Sequence, residues 1–140
     1  KLGLLSPKPD TVAQAISEKD DTRLQPSGAY AVNLLGLSQQ VPAKIVYLTD
    51  GAEKNVTVGN QQIQLRRTTP KNMATAGRPS GLVIQALRYL KKDGVTDDHI
   101  ATLKRILPDA DRERLWKDRI YAPAWMRPVF KQLKPKSLPS

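Results

Sequence analysis

The chain contains no cysteine. That excludes disulfides, thiolate nucleophiles and cysteine-ligated metal centres, and it suits a reducing compartment. Histidine is nearly as scarce. With His99 as the single copy, a His/Cys metal cluster is impossible. Ser–His–carboxylate catalysis could draw on that residue alone, and no nucleophile-elbow spacing accompanies it. Aromatic residues make up 5% of the sequence and are scattered. They do not alternate with basic residues along a strand, as a stacking platform for unpaired bases requires. No apolar run approaches the roughly 20 residues that span a bilayer, and no signal-peptide pattern opens the chain. The expectation is a soluble, cytoplasmic protein with no membrane partner.

Further absences narrow the chemistry. Gly28, Gly36 and Gly51 stand alone, so neither a Walker-type loop nor a dinucleotide fingerprint is present. Asp20-Asp21, Asp97-Asp98, Asp109 and Asp111 fall at helix ends, where the helix dipole and capping account for them. No lysine has a carboxylate two residues before it, the spacing sought for a metal-dependent nuclease. A lone histidine in the first turn of a helix, as His99 is, is far more often a surface or packing residue than a catalyst. We expect no catalytic residue, no metal and no cofactor. The chain reads as a non-enzymatic protein.

What the sequence does have is positive charge. Its formal net charge is +10, unevenly spread. Residues 1–50 carry five basic and five acidic side chains, and residues 51–93 carry eight against two. Residues 94–127 carry seven against six, and residues 128–140 add three unopposed lysines. Concentration of the excess in the middle segment and the tail favours a polyanionic partner, through counterion release from phosphates or attraction to an acidic protein face.

At 140 residues the chain fits one domain that needs no covalent staples. Pro9-Asp10-Thr11 opens a helix with Val12, Ala13, Ala15 and Ile16 on its apolar side. Leu24-Gln25-Pro26-Ser27-Gly28 reads as a turn in which Ser27 caps a short, buried helix over residues 29–35, with Gly36 as its stop. Lys44-Ile45-Val46-Tyr47-Leu48-Thr49 is the clearest strand, followed by an Asp50-Gly51 turn. Two more strands flank the two-residue turn Gly59-Asn60. That turn sets Val56 opposite Ile63, with Val58 and Leu65 on the same side. Asn55, Thr57, Gln62, Gln64 and Arg66 take the other side. The expected fold is α+β: a small three-stranded antiparallel meander packed against several helices, with a helical C-terminal half.

Beyond the sheet, Leu82, Val83, Ala86, Leu87 and Leu90 form a stripe that predicts a helix over residues 80–92, ended by Asp93-Gly94. Thr96 caps a helix through Leu107. Pro108-Asp109 starts another, with Leu115 and Trp116. A last helix begins near Pro123 and carries Trp125, Met126, Val129, Phe130 and Leu133, with Pro128 kinking it or confining it to one side. Residues 134–140, with two prolines, read as a disordered basic tail after a domain spanning 1–133.

The positive charge has candidate positions. Arg66 and Arg67 end the third strand of the meander, Lys71 and Arg78 lie in the connection, and Arg88, Lys91 and Lys92 sit on the next helix. Residues 66–78 hold four basic side chains and no acid, interleaved with Thr68, Thr69, Asn72 and Thr75, and followed by Ser80, all able to hydrogen-bond phosphate oxygens. These seven cations are the expected set for binding nucleic acid or an acidic protein partner. The helix over 29–35 is too apolar to lie in a major groove, so contacts to phosphate should dominate any binding to DNA.

Several phrases carry a resemblance. They are Leu24-Gln25-Pro26-Ser27-Gly28-Ala29-Tyr30, Asn33-Leu34-Leu35-Gly36-Leu37, Val41-Pro42-Ala43-Lys44-Ile45-Val46-Tyr47-Leu48-Thr49-Asp50-Gly51, Leu65-Arg66-Arg67-Thr68-Thr69-Pro70, and Gly81-Leu82-Val83-Ile84-Gln85-Ala86-Leu87. With the weaker Tyr121-Ala122-Pro123-Ala124-Trp125, they resemble the region after the winged helix in AbiEi-like antitoxins, the transcriptional regulators of type IV toxin–antitoxin systems. The resemblance implies a bacterial antitoxin and repressor whose N-terminal winged helix is missing from this chain. A start at Lys1 running straight into Leu2-Gly3-Leu4-Leu5 fits that expectation. It further implies a domain that neutralises a nucleotidyltransferase-like toxin encoded beside it and supports operator binding. Two alternatives stand beside this: a freestanding basic nucleic-acid-binding module, with steep salt dependence and no protein partner, and a degenerate nuclease, which requires carboxylates clustered in one cleft.

Overall fold

A computed structural model describes residues 9–136 of the chain. The elements run α1 (Pro9–Asp20), β1 (Leu24–Ser27), α2 (Gly28–Leu34), β2 (Lys44–Thr49), β3 (Lys54–Val58), β4 (Gln61–Arg67), α3 (Pro70–Met73), α4 (Pro79–Leu90), α5 (Asp97–Ile106), α6 (Asp109–Lys117) and α7 (Arg127–Leu133). Short 3₁₀ turns occupy Lys92–Gly94, Asp118–Tyr121 and Ala124–Met126. The class is α+β, and everything after β4 is helical, as the sequence predicts.

The β3–β4 hairpin follows from its turn. Gly59 takes φ +58°, a left-handed conformation that costs glycine nothing and closes a tight hairpin. That turn fixes the register with Val58 opposite Gln61 and Val56 opposite Ile63. Period-2 alternation then sends Val56, Val58, Ile63 and Leu65 to one face and Asn55, Thr57, Gln62, Gln64 and Arg66 to the other.

The meander itself needs correction. The sheet has four strands, not three, in the order β1-β2-β4-β3. Strand β2 pairs with β4 in parallel, Ile45 beside Ile63 and Tyr47 beside Leu65, so consecutive strands β2 and β3 are not neighbours. Burial explains the order. The strands whose apolar side chains are fully buried, β2 with Ile45 and Tyr47 and β4 with Ile63 and Leu65, take the centre, and β3, whose Val56 and Val58 are only partly buried, takes the edge. Four residues link β2 to β3, enough to cross the roughly 9.5 Å that two strand spacings require. On the far side, Leu24-Gln25-Pro26-Ser27 is an edge strand antiparallel to β2 and not a turn. A proline is tolerated there because an edge strand has one side free of ladder hydrogen bonds. Ser27 stands at the N-cap of α2 but makes no cap bond. Its hydroxyl donates to Gln85 Oε1 at 3.2 Å instead.

Two apolar clusters hold the chain. Ala13 of α1 and Tyr30 of α2 close over Ile45, Tyr47, Ile63 and Leu65, with Val12, Ile16, Leu24, Val56 and Val58 at the margin. The larger cluster centres on α4, where Val83, Ile84, Ala86 and Leu87 meet Val32 and Leu35, Ile100 and Leu103, Leu115, and Met126, Phe130 and Leu133. Each such side chain, fully buried, contributes about 1.5–3 kcal/mol. Close approach makes Gly81 a requirement: a Cβ there would stand 2.1 Å from Gln25 Oε1 and 2.5 Å from the Thr75 carbonyl.

Boundaries fall close to expectation, with local exceptions. Helix α4 stops at Leu90, two residues early, where Lys91 takes φ 67°. Thr96 and His99 form a reciprocal capping box: the Thr96 hydroxyl accepts from the His99 N–H at 3.2 Å, and the Thr96 N–H donates to His99 Nδ1 at 3.1 Å. The one histidine thus does the work usually given to glutamate or glutamine. Pro128 lies in the first turn of α7, where a missing N–H costs nothing. Of the tail over 134–140, residues 137–140 lie outside the described residues, as do Leu2 to Leu5. Pro135 is buried, and the Lys134 ammonium lies 4.9 Å from the centre of the Trp116 ring.

Candidate nucleic-acid interface

Three of the seven predicted cations cluster. Strand β4 runs out at Arg66 and Arg67, which alternation sends to opposite faces, and α3 begins three residues later with exposed Lys71 on its first turn. The helix is set by local hydrogen bonds: Thr69 Oγ1 accepts from the Asn72 N–H at 3.4 Å, and the Asn72 amide donates to Thr68 Oγ1 at 2.9 Å. The Thr68 and Thr69 hydroxyls accept in these bonds and keep their own O–H donors for a phosphate, while Thr75 and Ser80 are buried. Phosphate contacts at this rim fall to the cations and these two hydroxyls. Sequence reasoning missed a fourth member, Arg23. Its guanidinium donates to the Ala76 carbonyl at 3.2 Å, and its backbone N–H to Asp50 Oδ1 at 2.8 Å. Arg23, Asp50, Arg67, Thr68, Pro70 and Met73 line a shallow depression of about 300 Å³. No local pattern marks Arg23, because its neighbours come from β2 and the α3–α4 loop.

Arg78 belongs elsewhere. Its Nε and Nη2 clamp Asp118 Oδ2 and Oδ1 at 3.0 and 3.1 Å, and Arg114 Nε reaches the same carboxylate at 3.3 Å. Asp118 is 3% exposed, so this is a paired buried charge that ties the start of α4 to the end of α6. Arg88, Lys91 and Lys92 are exposed but sit at the opposite end of α4, whose twelve residues make it about 18 Å long. The predicted set divides into a rim of Arg66, Arg67 and Lys71, a structural clamp at Arg78, and a separate group at the far end of α4.

Two other features escaped the sequence. Tyr30 and Tyr47 meet edge to face with ring centres 5.7 Å apart, and both phenols donate to Asp10 Oδ1, the Tyr30 bond at 2.7 Å. Burial, then the bond to Asp10, pushes the Tyr30 phenol up to about 12. The same causes, in the same order, raise Tyr47 further. Both are neutral donors at neutral pH, holding α1 to the sheet. Beside them a groove of about 460 Å³ opens between β1, α1, α2, the start of α4 and the end of α5. It is mostly apolar, and Leu34 and Ile106 on its wall are 43% and 41% exposed. Gln25, 1% exposed, also lines it, with its Oε1 unpartnered.

Among the described residues, no three His, Cys, Asp or Glu side chains gather to hold a metal ion. No helix among them is long and apolar enough to cross a membrane.

Comparison with known proteins gives one family. A model described as a family of unknown function (DUF6088) matches residues 1–115. No curated protein and no solved structure matches the chain.

Proposed function

We propose that this chain, which belongs to the DUF6088 family of unknown function, is a non-enzymatic effector domain of a bacterial, cytoplasmic antitoxin and repressor that contacts DNA through phosphates. The observation that carries the DNA contact is electrostatic. Residues 54–92 contain no aspartate or glutamate, and within them Arg66, Arg67 and Lys71 stand exposed at one rim of the sheet. A local excess of positive charge, these three cations and Arg23 against the Asp50 carboxylate, supplies the sequence-independent part of nucleic-acid affinity. The resemblance to AbiEi-like antitoxins supports the regulatory role and a nucleotidyltransferase-like toxin as the protein partner.

The test is binding of duplex DNA across a salt series. Affinity should fall steeply with salt. Replacing Arg66, Arg67 and Lys71 together by alanine should flatten the slope of log K against log salt by about 2–3. Absence of binding at low salt would overturn the DNA role for this chain.

The toxin contact has its own supporting observation. The groove that carries Leu34 and Ile106 offers apolar side chains to solvent beside a cavity, the kind of pocket in which a protein partner seats an anchoring residue. Leu34→Glu with Ile106→Glu should abolish co-purification with the neighbouring toxin and leave DNA affinity unchanged. Retained co-purification would remove the groove from the toxin contact.

A further inference from the structure

Phosphate contacts give affinity without sequence information, and the rim described above does no more than that. The open face of the β3–β4 hairpin differs in kind. Asn55 stands opposite Gln64 and Thr57 opposite Gln62, with Arg66 next along β4 and Lys44 of β2 alongside Gln62. Helix α1 packs on the other face, against Ile63 and Leu65. Asn55, Thr57, Gln62, Arg66 and Lys44 are exposed and Gln64 half-buried. Arg66 Nη2 donates to Gln64 Oε1 at 3.3 Å, which holds two adjacent side chains of the row in a fixed relation.

We infer that this hairpin is a reading element for B-form DNA, laid in the major groove with its amide and guanidinium groups on the base edges. The inference rests on the DNA-binding role proposed above and gives it a specificity determinant. Three physical matches support it. The exposed strip on this face is two strands wide, β3 and β4, because Leu48 of β2 beside Arg66 is buried, and a strip of that width matches a groove about 12 Å wide. Residues two apart on a strand are about 6.8 Å apart, close to two base-pair steps, so Gln62, Gln64 and Arg66 step along successive alternate pairs. Asparagine and glutamine pair with adenine through N6 and N7, and arginine with guanine through O6 and N7. Gln64 Oε1 keeps a second lone pair for an adenine amino group while it accepts from Arg66.

The charge suits the ligand. No carboxylate lies in either strand, and Glu53 just before β3 is the nearest in sequence. Lys44, alongside Gln62 on the same face, stands where a flanking phosphate would lie. Chemistry also selects among nucleic acids. The face carries no aromatic ring on which unpaired bases could stack. The major groove of A-form RNA is too narrow and deep for side chains to read. Duplex DNA remains.

The experiment is selection by the full chain from a pool of short duplexes with a randomised core. Affinities of the winning duplex and of a scrambled one then follow across a salt series. Enrichment of adenines at alternate positions beside a guanine is expected. Gln62→Ala with Gln64→Ala should reduce the preference about tenfold or more for each amide removed, at an unchanged salt slope. Because both side chains are at the surface, unaltered circular-dichroism melting shows that the variant folds. Gln64→Glu, which repels bases presenting acceptors yet stays polar, serves as a second probe and should shift the selected base. Binding with a steep salt slope but no enriched sequence would overturn the reading role and leave the phosphate surface intact. Equal competition by double-stranded RNA or single-stranded DNA would overturn it too. Failure to bind any duplex at low salt would overturn both.

Discussion

The two faces of the sheet come from alternating residues of the same strands, yet they are opposite in character. On one, Ile45, Tyr47, Ile63 and Leu65 are buried under α1 and α2, and the two phenols converge on Asp10. On the other, over β3 and β4, stand Asn55, Thr57, Gln62 and Arg66, polar and exposed, with Gln64 half-buried among them. Because side chains alternate with period 2, one set of backbone hydrogen bonds serves both faces. The covered face holds the fold; on the other, the strip over β3 and β4 is exposed, while Leu48 of β2 and Gln25 of β1 on the same side are buried. A difference so sharp between residues one position apart means stability and binding should separate cleanly on mutation.

The largest effect expected comes from the covered face. Ile63 is 1% exposed and sits between Val56 on β3 and Ile45 on β2. Ile63→Ala removes buried methyl groups and leaves a cavity, so urea denaturation should register a loss of about 2–5 kcal/mol. A loss below about 1 kcal/mol would mean that α1 does not close this face.

A smaller effect should appear at the tyrosines, and it carries a pH signature. Tyr47→Phe removes one of the two bonds to Asp10 and should cost about 1 kcal/mol at neutral pH. Both phenols titrate above their ordinary value of 10.0 in the folded chain, Tyr30 near 12 and Tyr47 higher. Above pH 10 the unfolded chain releases these protons while the folded chain keeps them, so the stability they contribute is complete below pH 10.0 and lost as pH rises toward 12 and beyond. Melting temperature should therefore drop steeply on the alkaline side, and less steeply in Tyr47→Phe. Identical alkaline slopes for the two proteins would remove Tyr47 from the account.

How much of this could be read from the sequence depends on how local each feature is. The β3–β4 register, the split of residues between its faces, and the Thr96 cap follow from neighbours within a few positions. The last helix, expected from near Pro123, begins instead at Arg127, with Pro128 in its first turn. Strand β1 was hidden because Leu24-Gln25-Pro26-Ser27 has turn-forming composition, and only pairing with residues 19 to 25 positions away makes it a strand. The parallel β2–β4 pair was hidden for a similar reason: a short link suggests adjacency, and relative burial decides otherwise. Arg78 and Asp118 lie forty positions apart, as do Tyr47 and Asp10 nearly so. Charge density located the Arg66–Arg67–Lys71 rim but could not separate it from Arg78, whose charge is already answered.

The smallest effect sharpens the comparison most. Gln62 is exposed between Lys44 and Thr57, and no hydrogen bond among the described residues depends on its side chain. Gln62→Ala should therefore change stability by no more than about 0.5 kcal/mol and leave the alkaline melting profile unaltered. One position on, Ile63→Ala should cost several times that. Denaturation curves for the two variants, recorded side by side, test whether the open face bears on folding at all. If Gln62→Ala destabilises as Ile63→Ala does, the face is covered by some part of the chain and is not free for DNA. If it is silent in stability and loses sequence preference in the duplex selection, the amide row is there for binding and the fold is held from the other side.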